Sequence, residues 1–162
     1  MAGSGPGTIA ARLAELGITL PEVAAPVAAY VPAVRTGDLV HTSGQLPFVD
    51  GALAESGKVG EGEGLVAPAD AARHARTCAL NALAAVHALV GNLDAVVRVV
   101  KVVGFVASDP GFTGQPAVIN GASDVLGEIF GAAGVHARSA VGVAVLPLDA
   151  PVEVELVVEV VA

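Results

Sequence analysis

The chain predicts an α+β fold, a mixed β-sheet with two main helices packed on one face. Three observations carry that reading. A valine-rich run, Val96 to Ala107, lies between two segments of helical composition, Asp70–Val90 and Ile119–Ala133. Two further β-rich runs close the chain and alternate with period two. No internal repeat and no interdomain linker interrupts the sequence, so residues 1–29 read as an arm with a short helix and 30–162 as one domain.

The elements follow in order. Met1 to Gly7 is small and Gly-rich, the composition of an arm. Thr8 stands where it can cap a short helix carrying Ile9, Leu13 and Leu16 at helical spacing, ended by Gly17. Strands are predicted over Tyr30–Arg35 and Leu39–Ser43, with Thr36-Gly37-Asp38 turning between them. Pro47–Gly64 holds five Gly and four acidic residues and no periodic apolar face, and is expected to be a loosely anchored flap. The helix from Asp70 is rich in Ala, Leu and Arg, and Gly91-Asn92 closes it. Pro110–Pro116 reads as a loop. The second helix sets Ala122, Val125, Leu126, Ile129 and Phe130 on one stripe. The closing runs are expected to pair as a hairpin around Leu146-Pro147 and Pro151.

Composition bounds the class. At 162 residues the chain suits one domain with a substantial core. It is 54% hydrophobic, with a mean hydropathy of +0.71. Yet no run of about 18 apolar residues exists, because Arg98, Lys101, Pro26 and Pro32 interrupt the richest stretches. No membrane span and no secretory leader are therefore expected, and surface of this kind is expected to be buried between subunits. Cys78 is the single cysteine, which excludes an intrachain disulfide and suits a reducing cytoplasm. A net charge of −8, no basic stripe, one Tyr and no Trp argue against a nucleic-acid partner.

The candidate site sits in the last two runs. Arg138, Ala140, Gly142 and Ala144 share one strand face, so a guanidinium stands at the head of a row of small residues. A guanidinium presents a planar fork suited to a carboxylate or phosphate. The plainer reading is an edge-strand Arg paired with Glu153 or Glu155. Glu153, Glu155 and Glu159 share the polar face of the final run, and a carboxylate facing an enclosed space can orient water and take its proton. Otherwise all three are a solvated face.

Four motifs in order carry a resemblance. Gly37-Asp38-Leu39-Val40-His41-Thr42-Ser43-Gly44-Gln45-Leu46-Pro47 is followed by Lys101-Val102-Val103-Gly104-Phe105-Val106 and an Asn120-containing helix start. Arg138-Ser139, Leu146-Pro147 and Val152-Glu153-Val154-Glu155 complete the set. Over residues 30–162 the chain resembles the RidA/YjgF family of reactive-intermediate imine deaminases, formerly called L-PSP endoribonucleases. The resemblance implies a chorismate-mutase-like fold and a homotrimer with clefts between subunits. It implies that Arg138 holds the carboxylate of a 2-imino acid, that backbone near Ala140 polarises the imine, and that Glu153 directs water. No metal or cofactor is implied. Tyr30, Ser43 and Asn120 match positions lining the family pocket; they also suit a core-edge Tyr, a turn Ser and a helix-capping Asn.

Departures from the pattern are Ala140, where deaminases of the family commonly carry Cys, and Gly142, where many carry Glu. The loop over 47–64 is longer than in compact members, and about two dozen N-terminal residues have no expected counterpart. His74 and Cys78 stand at i and i+4, but no further ligands accompany them and a structural pair is expected. His41, His87 and His136 read as isolated. Gly57–Gly64 superficially resembles a phosphate loop but lacks the Lys-Ser/Thr ending and carries two Glu. Two function classes result. One is an enzyme hydrolysing small 2-imino or enamino acids to 2-keto acids and ammonia. The other is a non-catalytic trimer that binds small carboxylates or acts like a chaperone through apolar surface.

Overall fold

A computed structural model of the chain describes residues 8–23, 25–26 and 29–162; the expected Gly-rich arm, Met1–Gly7, lies outside them. Five strands form one sheet: β1 (Ala33–Thr36), β2 (Leu39–Thr42), β5 (Val96–Ala107), β6 (Ala137–Val143) and β7 (Val152–Val160). Their order is β1-β2-β7-β5-β6. All pairs are antiparallel except β5 with β6, which run parallel. Helices α2 (Pro68–Val90) and α3 (Gln115–Phe130) pack on one face of this mixed sheet, as the α+β reading expects.

The expected closing hairpin does not form. β5 lies between β6 and β7, pairing Val102 with Arg138 on one side and Phe105 with Glu153 on the other. The crossover through α3 makes β5 and β6 a parallel βαβ pair, and only a long connection of that kind can join parallel strands. β7 takes the other edge of β5. The consequence for the site is direct: small residues of β6 and carboxylates of β7 do not face each other across one ladder.

The core lies between sheet and helices. Val40, Val102, Val106, Val154, Leu156 and Val158 meet Ala75, Cys78, Ala82 and Leu83 of α2 and Ile119, Ala122 and Leu126 of α3. Alanines on α2 permit close approach. A Cβ added at Gly121 of α3 would stand 2.7 Å from the Ala72 carbonyl carbon, so the two helices meet backbone to backbone there. Gly91, at φ 80°, ends α2 in the left-handed region and returns its N–H to the His87 carbonyl at 2.7 Å.

The N-terminal helix α1 (Thr8–Glu15) is docked on the domain. The Asp94 carboxylate, not Thr8, serves its open end, accepting from the Ile9 N–H at 2.8 Å, while Leu13 is buried. The segment over 47–64 also departs from the expected flap. It contains a small hairpin, β3 (Phe48–Val49) with β4 (Ala52–Leu53). Val59 is fully buried, bridging Val66 and Ser108. His74 on α2 pairs with Glu55 at 2.8 Å. An apolar residue every dozen positions suffices to pin a Gly-rich loop when its backbone finds strand partners.

Candidate functional site

Two clusters hold the predicted residues, and they lie on opposite faces of the sheet. Along β7 the side chains of Val152, Val154, Leu156, Val158 and Val160 are buried against the helices, which leaves Glu153, Glu155 and Glu159 on the open face. On β6, Arg138 stands in register with Val102 and Leu156 and reaches α3 on the helix side.

The first cluster surrounds Glu153. A cavity of about 420 Å³ is lined by Tyr30, Leu46, Phe48, Pro147, Leu148 and Glu153, with Gly44 at its floor. After β2 the chain leaves the β7 ladder at Ser43-Gly44 and rejoins it at Gln45, whose N–H and carbonyl pair with Val154 at 2.9 and 3.1 Å. Thr42 spans the gap by accepting the Leu156 N–H at 2.9 Å. That detour sets Gly44 against the Glu153 side chain. Glu153 is half-buried, and burial pushes its carboxyl above the usual range; the neighbouring Glu155 pushes in the same direction. The Ser43 hydroxyl donates to the Val31 carbonyl at 2.6 Å, which fixes the segment leading from Tyr30 to β1; the strand itself starts at Ala33 and not at Tyr30. Leu148 and Asp149 adopt left-handed φ of 58° and 57° in the turn above the cavity, a conformation that costs a non-glycine residue and that persists only where the surroundings enforce it.

The second cluster surrounds Arg138. Its Nη1 donates to Asn120 Oδ1 at 2.8 Å and to Ser123 Oγ at 3.2 Å, and its Nη2 donates to the Pro116 carbonyl at 3.2 Å. Pro116, Asn120 and Ser123 recur at i, i+4 and i+7, one face of α3. Asn120 is no cap, because α3 begins five residues earlier at Gln115. Arg138 makes no ion pair with Glu153 or Glu155, which lie across the sheet. Ala140 is half-buried beside the core, in register with Gly104. β6 is an edge strand, so among the described residues its outer row of backbone groups has no strand partner. Beyond Ala140, Gln115 and Ser108 fill the space a side chain at Gly142 would take, with Gln115 Nε2 2.8 Å from such a Cβ.

Sequence reasoning missed Ser123, His136 and Gly44. His136 is not isolated: its Nε2 lies 2.9 Å from Ser123 Oγ and its Nδ1 2.6 Å from the Gly134 carbonyl. The signal was present, since His136 precedes Arg138 by two at the entry to β6 and Ser123 follows Asn120 by three on a helix. Cys78 is fully buried and its thiol donates to the Val152 carbonyl at 3.7 Å; burial, with Glu153 adding to it, pushes the thiol well up, which suits packing and not reactivity. His74 meets Glu55, so it does not share a ligand set with Cys78.

The mixed five-stranded sheet with its two main helices on one face belongs to the chorismate-mutase-like class of folds. Residues 10–160 match the family model described as "YjgF/chorismate mutase-like, putative endoribonuclease", and the chain belongs to this YjgF/RidA family. The match takes in most of α1 and so begins well before Tyr30. The chain is 46% identical over 154 residues to protein TCP17 of Trypanosoma cruzi, covering 94% of each. It is similar to the crystal structure of Atu1372 from Agrobacterium tumefaciens, with 46% identity, a TM-score of 0.85 and 94% and 92% of the two chains covered. It is also similar to a "putative endoribonuclease" from Shewanella oneidensis, at 32% identity and a TM-score of 0.90 over 95% of this chain and all of that one.

Proposed function

We propose that the protein is a RidA-like deaminase that hydrolyses 2-imino and enamino acids to 2-keto acids and ammonia. The observation that carries this reading is the pairing of chemistries in the two clusters: an arginine with N–H groups left free for a carboxylate, and a half-buried glutamate with a raised pKa beside a cavity. Because they lie on opposite faces, one chain does not complete the site. The reading therefore includes a homotrimer in which Glu153, Tyr30 and Gly44 of one subunit meet Arg138, Asn120 and Ala140 of a neighbour. The exposed Val34, Leu39 and Val141 support burial of the open face between subunits.

In this mechanism Arg138 holds the substrate carboxylate and edge-strand backbone near Ala140 polarises the imine. Glu153 takes a proton from water as the water oxygen bonds to the imine carbon. Glu153 returns that proton to the nitrogen; the carbon–nitrogen bond then breaks as the new hydroxyl passes its own proton, through the same carboxylate, to the departing nitrogen, so that ammonia and a 2-keto acid leave. A raised carboxyl pKa brings the base nearer to working pH, where general-base catalysis is most effective. The apolar wall of Leu46, Phe48, Pro147 and Leu148 suits a hydrocarbon substituent on the substrate.

A ribonuclease reading follows the names of relatives and gains nothing from this chain. Its net charge is −8, and a phosphodiester entering the cavity would meet Glu153. The deciding experiment adds the protein to an amino-acid oxidase reaction and follows the imine by semicarbazide trapping. Faster imine loss is expected. An unchanged rate with 2-keto acids still bound would leave a non-catalytic carboxylate-binding protein.

A further inference from the structure

The hydrogen bonds around Arg138 form a directed chain. Ser123 Oγ accepts from Arg138 Nη1 at 3.2 Å, and its own hydrogen has His136 Nε2 as acceptor at 2.9 Å. His136 Nδ1 in turn donates to the Gly134 carbonyl at 2.6 Å, because a carbonyl can only accept. With that hydrogen on Nδ1, Nε2 is placed to accept from the Ser123 hydroxyl, and each group in the chain then has one role. Asn120 and the Pro116 carbonyl hold two more guanidinium hydrogens. Three of the five N–H donors are thus tied to α3, and both hydrogens of Nη1 are among them. What remains is the Nε–H and one hydrogen of Nη2. These two nitrogens flank one edge of the guanidinium plane, the edge that takes a carboxylate side-on.

We propose that Ser123 and His136 are positioning residues that lock the Arg138 guanidinium to α3, so that it receives the substrate carboxylate side-on through Nε–H and Nη2–H. The inference rests on the deaminase reading for its ligand, and on the hydrogen-bond chain alone for the lock. Neither residue touches the substrate. Each removes a rotational freedom that a long arginine would otherwise lose on binding.

Nitrogen-15 NMR of the full chain at low temperature tests the lock without reference to any reaction. Separate Nη hydrogen resonances for Arg138 and an Nδ1–H tautomer for His136 are expected, with the Nη signals collapsing in Ser123→Ala and in His136→Ala. Collapsed Nη signals in the wild type, or an Nε2–H tautomer, would overturn the proposal. Titration with 4-methyl-2-oxopentanoate then reads the function. In Ser123→Ala the Kd for this 2-keto acid and the KM for the imine should rise about tenfold with kcat nearly unchanged, the size expected for one charge-assisted hydrogen bond. Ser123→Thr, which keeps the hydroxyl, should restore both to within about twofold. Equal Kd values for wild type and Ser123→Ala would also overturn the proposal. A wild type with resolved Nη signals that binds no 2-keto acid and hydrolyses no imine would instead sink the deaminase reading and leave the lock standing.

Discussion

The Glu153 carboxyl group rests on the α-carbon of Gly44. A Cβ at that position would stand 2.8 Å from the Glu153 Cδ and would overlap Oε1. Glycine is required there for space, since any side chain would push the carboxylate off the cavity floor. Gly44→Ala should therefore cut imine hydrolysis by about 10²-fold with little loss of stability, since only the flexible Glu153 side chain has to move. Turnover together with denaturant unfolding checks both; full activity would show that Glu153 has another place to go.

Arg138 and Glu153 should fail differently. Arg138→Ala is expected to abolish 2-keto acid binding while the oligomer persists. Arg138→Lys should recover little, because an ammonium offers no planar fork. Glu153→Gln should keep binding and lose turnover. Calorimetry with a 2-keto acid separates the cases. If Arg138→Ala instead disperses the oligomer and leaves binding intact, the arginine is structural.

The raised pKa of Glu153 has a sign for stability. The folded chain holds that proton more tightly than the unfolded chain, so this group's contribution is most favourable at acid pH. It diminishes as pH rises from the ordinary glutamate range through the folded pKa, and is constant above it. Glu153→Gln should thus be more stable than wild type at neutral pH, with the advantage vanishing on acidification below that range. Thermal melts of both proteins across pH give the difference curve. An advantage that grew toward acid pH would contradict the assignment.

The segment over 47–64 should be protected where it is anchored. Val59 donates to the Ala107 carbonyl at 2.7 Å and its carbonyl accepts from Asp109 at 2.9 Å. Slow hydrogen exchange is expected at Val59 and Val66, and fast exchange at the exposed hairpin tip around Asp50-Gly51. Val59→Ala should cost about 2 kcal/mol and speed exchange across the whole segment.

Much of the fold was legible because periodicity reports which face of an element is buried. The β5 run was placed to the residue, and α2 to within two. Periodicity says nothing about which strand lies beside which. A short Pro-bounded link between β6 and β7 suggested a hairpin, while the helix between β5 and β6 carried the competing signal for a parallel crossover, and the crossover won. The same limit governs the site. The sequence offered Arg138 and Glu153 as neighbours; β5 stands between their strands, and its register, Val102 beside Arg138 and Phe105 beside Glu153, leaves them on opposite faces. Asn120 was ambiguous only while the start of α3 was unknown; with Gln115 at the first turn, it can no longer cap.

The register of β5, which sets Arg138 beside Val102 and Glu153 beside Phe105, has a consequence for the proposed trimer: a single chain would lend its arginine to one pocket and its glutamate to another. In a trimer assembled this way, two dead variants repair each other. Arg138→Ala and Glu153→Gln subunits should each be inactive alone, yet a pocket that draws its arginine from the second and its glutamate from the first would be chemically whole. Random co-assembly of equal amounts should restore about a quarter of the wild-type activity. Simple addition of the two preformed oligomers, without subunit exchange, should restore none.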